Sequence, residues 1–126
     1  LIDMGEITDI TKEESIATFI AGIVRSVRFG HASSHGKANM MCYNYMEEHG
    51  AFSRDAEGRY VIDFGKAPEV TNGWAALILE TQATGNFEFA QKYSSEHADI
   101  KDALASDIEK VNGAGIPRDI VFEYNW

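Results

Sequence analysis

The sequence predicts a mainly α fold: a bundle of about five helices with one short β-hairpin or extended excursion near residues 51–64. Three observations predict it. Apolar residues recur at i, i+3, i+4 and i+7 through most of the chain, the spacing of helices that bury one face. Capping or breaking residues bracket each such segment. Only "FSRDAEGRYVIDF" combines a turn signal, at Glu57-Gly58, with a β-branched and aromatic run. A length of 126 residues with 44% hydrophobic content suits one domain around one core, residues 1–126.

Thr11-Lys12-Glu13-Glu14 reads as a capping box, in which the Thr11 hydroxyl and the Glu14 carboxylate satisfy each other's backbone amides. Ile16, Phe19, Ile20, Ile23, Val24 and Val27 follow on one helical face, and Gly30 stops that helix. A second helix is expected from about Ser34 to Glu48, with Ser33 or Ser34 as its N-cap. Its apolar stripe would be Ala38, Met41, Cys42, Tyr45 and Met46, with Gly50 at a left-handed C-terminal position. After the hairpin, Ala67-Pro68 opens a third helix carrying Val70, Trp74, Leu77, Ile78 and Thr81 as far as Gly85, with Gly73 weakening its interior. Asn86 caps a fourth with Phe87, Phe89, Ala90 and Tyr93. Asp99 is expected to cap a fifth with Ile100, Leu104, Ile108 and Val111, ended by Gly113, Gly115 and Pro117. The tail "RDIVFEYNW" reads as extended and packed through Ile120, Phe122 and Trp126.

Eleven basic against twenty acidic residues give a formal charge of -9, which repels phosphate-rich partners; the densest cationic group, Arg25, Arg28 and Lys37, is too sparse to override it. No nucleic acid is expected as a partner. No apolar run approaches membrane-spanning length, so no membrane is expected either. The single Cys42 forms no internal disulfide and is compatible with a reducing, cytoplasmic compartment without establishing one. Opening on Leu1-Ile2, without methionine or a leader pattern, leads us to expect a portion of a longer polypeptide, with chemistry divided between this portion and another.

The chemistry-bearing stretch is "HASSHGKANMM". His31 and His35 have the spacing of a zinc-binding helix, but Ala32 stands where a catalytic glutamate would, and Gly30 with Ser33-Ser34 puts the helix start after His31. No metal ligand is therefore expected here. Ser33 and Ser34 lack a G-x-S-x-G elbow and read as caps, while Cys42 reads as a buried, unreactive thiol. His49, His97 and the acidic clusters at Glu13-Glu14, Glu47-Glu48 and Asp99 to Asp107 read as solvated helix ends and faces. There remain His35, Lys37 and Asn39, donors suited to carbonyl or carboxylate oxygens, with His35 and Asn39 on one helical face and Gly36 permitting a close approach. A peptide-backbone or oxyanion contact and a purely structural role both fit those residues.

The segments "FIAGIVRSVRFGHASSHGKANMMCYNYMEEHGAF" and "RYVIDFGKAPEVTNGWAALILETQATGNFEFAQKYSSEHADI", followed by "IKDALASDIEKVNGAGIP", resemble the C-terminal part of the dipeptidyl peptidase III family of zinc metallopeptidases. The likeness runs from about Phe19 through Pro117 and is nearest to a bacterial branch in which some members carry an added Nudix-type domain. It implies an enzyme that removes dipeptides from oligopeptide N-termini, with zinc held by an HExxxH and an EExxxE-type motif, both upstream of the segment present here. Glu13-Glu14-Ser15-Ile16-Ala17-Thr18 imitates the second motif only partly and reads as a helix start. By the same resemblance, His35 is the candidate catalytic residue, stabilising the carbonyl oxygen beside the scissile bond. His35, Lys37 and Asn39 are the substrate-binding candidates, Asn39 standing where many relatives have a substrate-binding arginine. His31 has no matching role.

The function expected is thus that of a C-terminal helical region supplying substrate contacts to a dipeptidyl peptidase III-like hydrolase. The chain itself would hold no cofactor and be inactive alone. Its partners would be the N-terminal catalytic portion of the same polypeptide, with its zinc, and an oligopeptide substrate. The alternatives are a non-enzymatic helical interaction module and an autonomous zinc protein using His31 and His35.

Overall fold

A computed structural model describes residues 2–116. Those residues form helices α1 (Lys12–Arg28), α2 (Ser34–Glu48), α3 (Ala67–Thr84), α4 (Phe87–His97) and α5 (Asp102–Gly113), with strands β1 (Phe52–Arg54) and β2 (Tyr60–Ile62) between α2 and α3. A short 3-10 turn, Ile2–Met4, precedes α1. The mainly α architecture and the hairpin agree with the sequence-based expectation. The expected extended tail lies outside the described residues.

Local signals account for most boundaries. The Thr11 hydroxyl accepts from the Glu14 amide at 3.1 Å while the Glu14 carboxylate accepts from the Thr11 amide at 2.8 Å, the reciprocal pair of a capping box. At the end of α2, Ala51 N–H donates to the Met46 carbonyl and Gly50 N–H to that of Glu47, a Schellman closure that requires the left-handed φ of 78° at Gly50. Asn86 caps α4 by accepting from the Phe89 amide at 3.0 Å. The fifth helix departs from expectation: Lys101 is its N-cap and gives no side-chain cap bond, while the Asp99 carbonyl is used elsewhere, accepting from Asn44.

Helix α2 is the centre of the fold, packed by α1, α3, α4 and β1. A helix surrounded in this way is buried around much of its circumference, so a single stripe does not describe it. Met40, Tyr43 and Asn44 join Cys42 and Met46 in the interior, whereas Ala38, expected in the stripe, is exposed. Phe19 of α1 is likewise 45% exposed, leaving Ile20, Ile23 and Val27 as the buried face of that helix. The core continues through Phe52, Ala67, Val70 and Leu104, so the hairpin, α3 and α5 all share one core with α2. Asn44, only 2% exposed, donates from Nδ2 to the carbonyls of His97 at 2.8 Å and Asp99 at 3.1 Å, tying the α4–α5 connection to the central helix.

Gly73, expected only to weaken α3, has a packing role. A Cβ at that position would lie 2.7 Å from the Tyr45 hydroxyl oxygen, so glycine is what lets α3 come close to α2.

Candidate functional site

The candidate residues stand on the first turns of α2, and local chemistry sets that helix start. Ser33 is extended (φ -73°, ψ 163°) and its Oγ accepts from the Gly36 amide at 3.1 Å, as an N-cap does. Gly36 is buried against the connection from α1. A Cβ there would lie 2.6 Å from His31 Cα and 2.9 Å from His31 C, and closer still to the Gly30 carbonyl oxygen. All three are backbone atoms, so no rotamer change relieves the overlap. Gly30 contributes the other half of the fit with a φ of 130°, open to glycine and costly for other residues.

His35 and Lys37 are exposed and Asn39 is half-buried. With about 100° of rotation per helical residue, His35 and Asn39 stand about 40° apart, and Lys37 about 200° from His35. The helix therefore brings His35 and Asn39 to one flank and turns Lys37 to the other. His35 and Asn39 can direct a ring N–H and an amide toward the same peptide carbonyls, while Lys37 can meet only a group passing the opposite side of the helix end. His31 sits in the bend before α2, so the two histidines do not share a helical face. Among the described residues, no group of three or more His, Cys, Asp or Glu side chains is placed to hold a metal ion.

A polar constellation that joins more side chains lies elsewhere among the described residues and was not singled out from the sequence. Arg54 of β1, with 19% of its side chain exposed, donates from Nη1 to Glu47 at 2.8 Å and from Nη2 to Tyr43 Oη at 2.9 Å and Tyr60 Oη at 2.8 Å. It also donates from Nε and Nη2 to Asp107 at 3.2 and 3.1 Å, and its guanidinium lies 4.7 Å from the Tyr60 ring centroid. Burial opposes the charge on Arg54, but the surrounding oxygens outweigh it and push its pKa up. Burial also pushes the Tyr43 phenol up, helped by its hydrogen bond with Tyr60. For Asp107 burial acts upward, yet hydrogen bonds from Lys110, Arg54 and Tyr60 hold the carboxyl below its usual range. Glu47 and Asp107, expected as members of solvated acidic faces, are thus partners of a half-buried cation. One signal was available in the sequence: strand alternation places Arg54 on the same side as the buried Phe52, and a charge on that side needs partners.

Two tyrosine–histidine pairs close the ends of α2 and α4 in the same way. Nδ1 of His49 is 2.8 Å from the Tyr45 carbonyl oxygen, with the two rings stacked at 3.9 Å. Nδ1 of His97 is 3.1 Å from that of Tyr93, with the rings at 4.1 Å. His49 is exposed as expected. His97 is not a solvated end residue: 25% of its side chain is exposed and its Nε2 faces Glu48 at 3.9 Å. Trp74 bridges the pairs, 5.4 Å from Tyr45 and 6.3 Å from Tyr93. Beside it lies an apolar groove of about 140 Å³ between α3 and α4, lined by Met41, Leu77, Ile78 and Phe89 among others. Cys42 is 6% exposed and burial pushes its thiol up to about 11, the inert state expected of it.

No family model matches the sequence. The chain is 29% identical over 120 residues to Nudix hydrolase 3 of Arabidopsis thaliana, a match covering 95% of this chain and 16% of that protein. In structure it is similar to dipeptidyl peptidase III from Caldithrix abyssi, with a TM-score of 0.84 and 28% identity over 94% of this chain. It also matches the fold of dipeptidyl-peptidase III from Corallococcus sp. strain EGB, with a TM-score of 0.88 and 24% identity over 96% of the chain. In both cases the chain spans 22% of the solved protein. Its fold is that of a helical part of dipeptidyl peptidase III.

Proposed function

We propose that this chain is the C-terminal helical region of a dipeptidyl peptidase III-like, zinc-dependent hydrolase, where it supplies substrate contacts to a site whose metal and base lie on the rest of the polypeptide. The observation that carries this is the likeness of fold, at 28% identity, to a protein of which the chain makes up 22%. Two features support the assignment of residues. His35 stands exposed on α2, and among the described residues its side chain has no hydrogen-bonding partner. Asn39 stands on the same flank.

In this function His35 donates a hydrogen bond to the carbonyl oxygen beside the scissile bond and disperses the charge that develops on it. Asn39 offers an uncharged amide to the adjacent peptide backbone, and Lys37 meets a more distant part of the oligopeptide around the helix end. In this reading the zinc ion, its ligands and the water-activating base belong to the remaining portion of the polypeptide, and the described residues bring together no group of three or more His, Cys, Asp or Glu side chains for a metal. We further propose that the parent belongs to the branch associated with Nudix-type domains; the likeness to a protein named Nudix hydrolase 3, over 16% of that protein, is what suggests it.

The test uses the full-length polypeptide and a chromogenic dipeptidyl substrate. His35→Ala is expected to lower turnover about 100-fold, the effect of removing one oxyanion donor, with bound zinc unchanged. Loss of zinc in that variant would make His35 a ligand and overturn the assignment. Turnover by residues 1–126 alone with added zinc would refute the division of labour. A second reading, a non-enzymatic interaction module, draws on the apolar α3–α4 groove; it gains if the full-length sequence has no HExxxH upstream.

A further inference from the structure

In the candidate region a residue with no side chain occupies a place where no side chain fits. Gly36 lies between His35 and Lys37, and its α-carbon faces the Gly30–His31 backbone so closely that even a methyl group is excluded. The Ser33 hydroxyl holds the Gly36 amide at 3.1 Å, and the Lys37 amide donates to the Ser33 carbonyl at 2.9 Å. The first turn of α2 is thereby pinned on one side by backbone contact and at its end by a cap. Once the Gly36 side of a helix is fixed, the other directions follow: His35 points about 100° to one side of it, Asn39 about 60° to that same side, and Lys37 about 100° to the other. The rotation of this turn sets the direction in which the Cα–Cβ bond of His35 leaves the helix, and among the described residues no side-chain hydrogen bond redirects the ring.

We propose that Gly36 is a positioning residue for His35: its close seat on the Gly30–His31 backbone sets the rotation of the first turn of α2, and so the direction in which His35 and Asn39 are presented. The role rests on the substrate-contact function proposed above. A side chain at position 36 lifts or rotates this turn, and an oxyanion donor displaced by about 1 Å loses much of its effect on turnover.

The experiment is a double-mutant cycle in the full-length polypeptide with Gly36→Ala, His35→Ala and the two combined. It reads kcat and KM separately with the chromogenic dipeptidyl substrate, together with zinc content and Tm. Gly36→Ala is expected to lower kcat at least about tenfold with zinc retained, and to lower it no further when His35 is already alanine. A kcat within about twofold of the wild type, or an equal loss in both backgrounds, would overturn the positioning role while leaving the function of His35 standing. A His35→Ala variant of unaltered kcat would instead overturn the substrate-contact function itself. Should Gly36→Ala not fold, Ser33→Ala, which only removes the cap on the Gly36 amide, is read by the same cycle: a kcat loss confined to the His35-containing background supports the role, and an equal loss in both backgrounds or no loss overturns it.

Discussion

Replacing Arg54 by leucine keeps an apolar stem in place and removes a guanidinium that serves four acceptor side chains at once. What remains is two carboxylates, Glu47 and Asp107, with 23% and 21% of their side chains exposed, and two phenols that face each other at 3.1 Å. Removing one partner of a fully buried ion pair costs about 3–5 kcal/mol because the other charge is stranded. Solvent still reaches about a fifth of each of these side chains, and Lys110 stays on Asp107 at 3.2 Å, so the lower end, about 3 kcal/mol, is the reasoned value. For a chain of this length that corresponds to a Tm lowered by about 10 °C. Thermal and denaturant unfolding of the wild type, Arg54→Leu and Arg54→Lys would read it. The lysine variant should recover only part of the loss, because an ammonium cannot form the fork that spans both carboxylates and both phenols. A loss below about 1 kcal/mol, or a difference abolished by 1 M salt, would refute the argument and reduce the cluster to a screened surface pair.

The same cluster predicts a dependence on acid. The folded-state pKa of Asp107 is depressed, so its contribution is complete above the unfolded value near pH 4 and is lost as pH falls through the lower folded value; Arg54→Leu should therefore unfold with a shallower pH dependence below about pH 4, and an unchanged slope would contradict this. Gly73→Ala should destabilise the chain by about 1 kcal/mol despite alanine's better helix propensity, since moving the Tyr45 hydroxyl aside disturbs its ring contacts with His49 and Trp74. In a Tyr45→Phe background, where the nearest ring carbon is at an ordinary 3.7 Å, the same change should become stabilising; a stabilising effect in the wild type would show the contact to be soft. Cys42 should be alkylated at pH 8 at least about 100-fold more slowly in the folded than in the unfolded chain, because little thiolate forms when burial holds the thiol near 11. Comparable rates in the two states would mean that the core around it opens readily.

The helices and their ends were legible because their causes are neighbours in sequence. The Thr11–Glu14 box, the Ser33 and Asn86 caps, and Gly50 and Gly85 at the C-terminal ends each act over a few residues. Where Asp99 was expected to cap α5, the local signal lost to a distant one: the backbone there turns to meet the Asn44 amide, a partner 55 residues away. Periodicity also placed His35 and Asn39 on one flank of α2, and the same 3.6-residue period separates Lys37 from them.

What only the tertiary structure decided is where one segment meets another. No pattern within α2 could show that it would be packed by three helices and a strand, which is why Tyr43, Met40 and Asn44 are interior and Ala38 is not. Gly73 reads as a weak point in a helix until the Tyr45 hydroxyl stands beside it, and Gly36 permits a close approach whose partner, the Gly30–His31 backbone, only the packed chain names. Arg54 acquires its role from Tyr43 and Glu47 of α2, Tyr60 of β2 and Asp107 of α5, three elements far apart along the chain. The physical reason is common to all of these. A cap or an amphipathic stripe lowers free energy through atoms a turn apart, and those are written in order along the chain. A close backbone approach or a half-buried ion cluster exists only after distant segments have packed.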